Sequence, residues 1–215
     1  MSSRLFWPVV LASCATAGAP DPGGQSDAST HGTFQDAATV TVDAPKVFMD
    51  ACVPTPIELL KNPAFDLTPL ATSWTESAAD LVTDQDGVAE HSAPYKAWLG
   101  GLTSFSDTLY QDITVPASTT ALVLHGYYQV ATGESGTTDY DHATVKLTST
   151  AGTLIESVLA LTNVSHNTAW ASIDHTFTNL SAGQTVRLLF ASDNDITLPT
   201  SFYFDTLSLQ ATACP

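Results

Sequence analysis

The sequence predicts an all-β chain folded as a two-sheet antiparallel β-sandwich of jelly-roll type. Beyond residue 52, short runs of Val, Ile, Leu, Thr and aromatics recur between Gly, Pro, Asp and Asn, which is the texture of strands and turns. Several runs alternate apolar and polar residues, the period of a half-buried strand. No segment carries an apolar stripe at helical spacing over an ordinary helix length. About ten strands with turns between them fit two packed sheets.

In chain order the expected strands are 57–60, 73–76, 95–99, 108–114, 120–131, 142–148, 154–161, 169–178, 185–191 and 201–212. In 120–131, Leu122, Leu124, Tyr128 and Val130 share one face, which turns Tyr127 to the other. Ala143, Val145 and Leu147 oppose Thr144, Lys146 and Thr148, and Val186, Leu188 and Phe190 oppose Arg187. The last run reads as one long strand. Strict alternation puts Phe202, Phe204, Thr206 and Ser208 on one face and Tyr203, Asp205, Leu207 and Leu209 on the other. The carboxylate of Asp205 in mid-strand needs a partner, because an unpaired buried charge is costly.

The 215 residues include 6 Lys or Arg and 22 Asp or Glu, a formal charge of −16. No basic stripe is present to neutralise phosphates, so nucleic acid is excluded as a partner. An anionic membrane surface would repel the folded part. Residues 52–215 read as one domain, long enough to bury roughly 70% of its unfolded surface.

Ahead of that domain, Arg4 precedes an apolar run from Leu5 to Ala12 that is too short to cross a bilayer. Leu11-Ala12-Ser13-Cys14, directly after it, resembles the lipobox of bacterial lipoproteins. That resemblance implies a signal peptide at residues 1–13 and a lipid on the Cys14 sulfur. It implies an extracytoplasmic protein held to the cell envelope by the anchor alone, with Ala15 favouring the outer membrane. Residues 14–51 are rich in Ala, Gly, Pro, Asp, Ser and Thr and read as a flexible tether, about 35 Å in coil dimension.

Hydrolase signatures are missing: Gly133-Glu134-Ser135-Gly136 has the wrong spacing for a nucleophile elbow, and there is no His-Glu-x-x-His. His91, His125, His142, His166 and His175 are too far apart in sequence to read as a metal pair. The chain is therefore not expected to be an enzyme. Acids gather in two loops, Glu134 to Asp141 and Asp193 to Asp195. Such loops can supply the six to eight oxygens of a Ca²⁺ site, and the same residues suit turns, where Asp and Asn bond their own backbone. Trp74, Trp98, Tyr110, Tyr127, Tyr140 and Trp170 are the aromatics that could stack on sugar rings, although packing claims most tryptophans in a sandwich. Tyr127, on the outward face, and Tyr140, in an acidic loop, are the ligand-binding candidates.

Six segments in order carry a wider resemblance: Asn62-Pro63-Ala64-Phe65-Asp66, Ala97 to Gly101, Leu109 to Pro116, Asp141 to Leu147, Leu180 to Val186, and Thr200 to Asp205. Together they resemble the bacterial jelly-roll domains of galactose-binding type, which include carbohydrate-binding modules. The resemblance implies a module that binds carbohydrate or a surface glycan. Two readings from other classes stand beside it, a structural or protein-interaction jelly roll with no sugar site and an unrecognised hydrolase. It also implies a structural Ca²⁺ joining the loop after the first strand to the last strand, at Asp66 and Asp205. Glu134, Asp141 and Asp193 offer a second arrangement around that strand. With Cys14 lipidated, Cys52 and Cys214 remain to form a disulfide bracketing the domain, since the first and last strands of jelly rolls often lie side by side.

Overall fold

The computed structural model describes residues 52–85 and 87–214. The signal peptide, Cys14 and the tether expected over residues 1–51 lie outside the described residues. Eleven strands follow one another: β1 (Thr55–Glu58), β2 (Thr75–Glu76), β3 (Val82–Thr83), β4 (Lys96–Gly100), β5 (Ser106–Thr114), β6 (Ala121–Thr132), β7 (His142–Ser149), β8 (Leu154–Thr162), β9 (Ala171–Thr176), β10 (Thr185–Asp193) and β11 (Thr200–Ala213). A short 3₁₀ turn, Asn163–Ser165, is the one helical element among the described residues.

The strands form two antiparallel sheets. One runs β3-β4-β11-β6-β9, with β1 also on β11; the other runs β2-β5-β10-β7-β8. The jelly-roll sandwich expected from the sequence is thus the observed fold. All ten expected strands are present, with ends shifted by up to two residues. The additional strand is β3, whose two residues are too few to show an alternation.

The core lies between the sheets. Leu122, Leu124, Val130, Val145, Leu147, Leu188, Phe190, Phe202 and Phe204 are fully buried. Phe190 and Phe204 meet across the sandwich with ring centroids 4.9 Å apart, and Trp74 packs on Phe190 at 6.0 Å. Ring pairs at these separations add about 0.5–1.5 kcal/mol each beyond the area they bury.

Strand β11 departs from strict alternation. Asp205 pairs with Tyr127 and Ser208 with His125, so Thr206 and Leu207 together oppose Gly126. Thr206 sits at φ 50°, rare for a β-branched residue, as the extra residue of a β-bulge. A Cβ on Gly126 would fall 2.6 Å from Leu207 Cδ2, so glycine fits the position opposite the bulge. The bulge switches the parity of the strand. Phe202 and Phe204 face the core before it, and Leu207, Leu209 and Ala211 face the core after it. The expectation that Leu207 and Leu209 lie opposite Phe202 and Phe204 is thereby corrected, because alternation cannot register an inserted residue.

Cys52 and Cys214 form the expected disulfide, with Cα atoms 5.8 Å apart and 162 residues of sequence separation. It fastens the end at which β1 pairs with β11, where Thr55 faces Ala213. Closing so long a loop is worth about 5 kcal/mol by loop-closure entropy, an upper figure given residual structure in the unfolded chain. Thiol titration of the unfolded, unreduced protein should therefore find Cys52 and Cys214 unreactive. Cys214→Ser should lower stability by about 2–5 kcal/mol in denaturant unfolding.

Candidate functional site

The site grows out of the end of β4. Gly100 and Gly101 both have positive φ, 78° and 79°. Neither has room for a side chain: a Cβ on Gly100 would fall 2.4 Å from Thr200 O, and one on Gly101 would fall 2.7 Å from Trp98 Cζ2. The pair lets the chain turn sharply while the Trp98 indole lies against it. Backbone bonds lock the turn to β11 and the β10–β11 loop. Gly101 N–H donates to Thr200 O at 2.8 Å and Asn194 N–H to Phe105 O at 2.9 Å. Asn194 Nδ2 donates to both Leu102 O and Thr200 O, at 3.0 and 2.7 Å.

Beside this turn opens a pocket of about 270 Å³. Residues 78–81 line one part, and Gly100, Gly101, Leu102 and Phe105 another, with Trp98 and Asp107 completing the lining. Leu102 is 59% and Phe105 38% exposed, which gives the mouth an apolar rim. Asp107 is the one buried polar side chain of the lining, at 1% exposure. It comes from the core-facing row of β5, in line with Leu109 and Ile113. Its Oδ2 accepts the Gly100 N–H at 2.8 Å. Burial pushes the Asp107 carboxyl up, and that single amide bond offsets the push only in part.

Five buried side-chain polar atoms among the described residues have no hydrogen-bond partner: Trp98 Nε1, Asp107 Oδ1, Thr148 Oγ1, Ser192 Oγ and Asn194 Oδ1. Four of them gather here. Trp98 and Asp107 line the pocket. Ser192 is paired with Asp107 across the β5–β10 ladder, and the Asn194 amide lies 3.2 Å from where a Gly100 Cβ would stand. Unpaired buried polar groups are few in native proteins and costly, so four of them beside one pocket single this region out as the candidate site.

The sequence-predicted residues are distributed as follows. Asp66 is exposed in the loop after β1. Asp205 is fully buried on the outward row of β11. Its Oδ2 accepts the Ser92 N–H at 2.8 Å, Oδ1 accepts the Thr206 N–H, and the His91 N–H adds a third amide. Burial pushes its carboxyl up as well, against the pull of these amides. Glu134 Oε1 accepts from the Thr197 hydroxyl and Leu198 N–H. Asp141 accepts from Asp195 N–H and the Thr200 hydroxyl, and Asp193 from the Ser106 hydroxyl. These acids tie loop to loop. Among the described residues no group of three or more His, Cys, Asp or Glu is arranged to hold a metal ion.

Tyr127 lies on the outward face of the first sheet, its ring stacked on His91 at 3.6 Å. Tyr140 is 39% exposed, and its N–H donates to Asn163 Oδ1. Neither lines the pocket. Of the aromatics singled out in the sequence, Trp98 is the one that does. Trp74 is core, and Trp170 donates from Nε1 to Ala89 O. Asp107, Leu102, Phe105 and Asn194 were not foreseen. A signal for Asp107 was present: in Asp107-Thr108-Leu109-Tyr110-Gln111-Asp112-Ile113, alternation places it on the same face as Leu109 and Ile113.

No protein-family model and no curated protein matches the chain. Solved structures do. One is TmCBM61 in complex with β-1,4-galactotriose, 16% identical, covering 71% of this chain and 97% of that one at a TM-score of 0.49. Another is the CBM22-1 xylan-binding domain from Paenibacillus barcinonensis Xyn10C, 11% identical over 77% and 99%, TM-score 0.43. A third is an apo cyclase from Fischerella sp., 13% identical over 74% and 98%, TM-score 0.47. Carbohydrate-binding modules stand among these similar structures, and so does an enzyme.

The charge on Asp107 makes the apo pocket pH-sensitive. Burial raises the folded-state pKa above the unfolded value, so folding takes up a proton between the two. The stability linked to that proton is present at low pH and lost as pH rises through the folded pKa. Asp107→Asn should therefore melt about 2–4 °C higher than the parent at neutral pH, for a gain of about 1 kcal/mol. The gain should shrink as pH is lowered towards ~4. Melting curves across that range check it; a difference that ignores pH would contradict it.

Proposed function

We propose that this chain is a carbohydrate-binding module whose sugar site is the pocket beside the β4–β5 turn. The observation that carries the reading is the meeting of an apolar, aromatic lining with buried polar atoms that lack partners, Asp107 Oδ1 and Trp98 Nε1. A pyranose offers the matching chemistry: C–H faces for the indole and phenyl rings, and hydroxyls that donate to a carboxylate or accept from an indole N–H. At about 270 Å³ the pocket is below the range of roughly 300–1,000 Å³ usual for larger ligands, and suits one sugar ring. Binding rather than hydrolysis is favoured because glycosidases set two carboxyl groups on either side of the scissile bond. Here Asp107 is buried, and Asp80, the other acid of the lining, is exposed.

The reading includes an extracytoplasmic protein tethered by lipid at Cys14. The Cys52–Cys214 bond supports the compartment, since such bonds persist where conditions are oxidising. It also includes a structural Ca²⁺ at Asp66 and Asp205 or at Glu134, Asp141 and Asp193, because backbone carbonyls and water can complete a shell of which carboxylates supply only part. A melting midpoint raised by Ca²⁺ and lowered by chelator is the expected outcome; identical midpoints would remove the ion from the proposal.

The sugar site is tested by titration calorimetry against a panel of neutral and amino oligosaccharides. Binding should appear for at least one class, and Phe105→Ala should weaken it about tenfold while leaving the melting temperature within a few degrees. A panel with no binder would turn the reading to a protein-interaction module.

A further inference from the structure

Asp107 differs from the other buried carboxylates of this protein in how little holds it. Asp205 has three backbone amides, from Ser92, Thr206 and His91. Asp141 has Asp195 N–H on one oxygen and the Thr200 hydroxyl on the other. Asp107 has one amide on Oδ2 and no donor on Oδ1. None of Lys61, Lys96, Lys146 and Arg187, the lysines and arginine among the described residues, and none of the described histidines, lines the pocket. Lys96 is engaged by Glu90 and Arg187 by Asp112. The residue is therefore a buried acid with no counter-charge, in a pocket whose second acid is Asp80 at the exposed edge.

The ring systems of the lining have the same preference. The faces of an indole and a phenyl ring, here Trp98 and Phe105, attract a cation. Close beside the pocket, Asn194 Oδ1 adds an acceptor without a donor. A neutral hydroxyl would satisfy one oxygen of Asp107 but leave its charge uncompensated, whereas an ammonium would donate the bond and cancel the charge.

We infer that the pocket takes a sugar bearing a free ammonium group, a hexosamine without its acetyl group, with the ammonium paired to the Asp107 carboxylate. The inference rests on the sugar-binding reading of the same pocket and narrows its ligand class. An acetylated hexosamine has the same ring but carries a neutral amide that is bulkier and offers one N–H, so it forfeits the charge pairing.

The experiment is titration calorimetry of the full chain with β-1,4-linked triglucosamine, its fully N-acetylated counterpart and neutral β-1,4-galactotriose, with free lysine as a control for an amine lacking a sugar ring. The expected result is triglucosamine binding at least tenfold tighter than either other sugar, weakening as salt is raised, with lysine binding weakly or not at all. Asp107→Asn keeps the side-chain shape and an oxygen for the Gly100 N–H, so it should fold and should erase the preference. Equal or tighter binding of the acetylated or neutral sugar overturns the ammonium assignment and leaves the sugar pocket standing. A preference that survives in Asp107→Asn also overturns it. Lysine binding as tightly as triglucosamine overturns the sugar as the carrier, and no binding by triglucosamine overturns the assignment, whereas the sugar-binding reading beneath it falls only if the whole oligosaccharide panel also fails to bind.

Discussion

The constraint on which this architecture turns is the position of β11. Its one edge pairs with β6 along most of its length, and its other edge is shared by β4 near the start and β1 near the end. A fourteen-residue strand flanked on both sides at 201–204 and again at 210–212 must satisfy two ladders at once there. The bulge at Thr206 makes this compatible with the core. Without the inserted residue, either Phe202 and Phe204 or Leu207 and Leu209 would face away from the other sheet. The left-handed backbone of a β-branched residue costs on the order of 1–3 kcal/mol, and burying both apolar pairs repays more, at about 1.5–3 kcal/mol per large side chain.

The bulge also fixes what lies on the outer side of that sheet. Asp205, immediately before Thr206, faces outward, where the segment between β3 and β4 crosses the sheet. Its carboxylate collects the amides of His91 and Ser92 from that segment. His91 reaches back through Nδ1 to the Thr206 hydroxyl at 2.8 Å and lays its ring on Tyr127. Lys96, 1% exposed, bonds Gln85 O and Glu90 from beneath, and Trp170 bonds Ala89 O from β9's side. The described residues of the crossing segment are held by charge-assisted and aromatic contacts, among them those made by Asp205 and Tyr127.

The contrast with Asp107 shows which parts of this protein could be read from its sequence. Strand positions were legible because alternation is a local property, and the disulfide because only two cysteines bracket the folded part. The parity switch in β11 was not, since an extra residue in a bulge leaves no mark in the pattern of side chains. Glu134, Asp141 and Asp193 stand out in the sequence as acids grouped in loops and Asp66 through the jelly-roll resemblance, yet a group's charge says nothing about which donors surround it. Asp107 sits in a strand rather than a loop, and its surroundings, one donor from Gly100 and none from Ser192 or Asn194, are set by two other parts of the chain, the end of β4 and the end of β10. A residue's satisfaction is a tertiary fact, and an unsatisfied one is correspondingly invisible in sequence.

These two features meet at Trp98. It lies in β4 between the crossing segment before the strand and the glycine turn after it. Its ring stacks near Tyr203, with centroids 5.9 Å apart, and the ammonium of Lys96 lies 5.9 Å from the same Tyr203 ring. Along its Nε1–Cζ2 edge the indole lies against Gly101, where no side chain can intrude. A ring held on one face by Tyr203 and along its edge by a glycine has few rotamers open to it, so a ligand meeting it loses little side-chain entropy on binding. The crossing segment lies against Tyr203 at Gly87 and does not line the pocket. Tyr203 and Lys96 are buried, at 2% and 1% exposure, and Trp98 both packs on that Tyr203 ring and lines the pocket with Asp107. The unpaired Asp107 oxygen costs stability there, and the ladders and core contacts of the rest of the sandwich offset that cost.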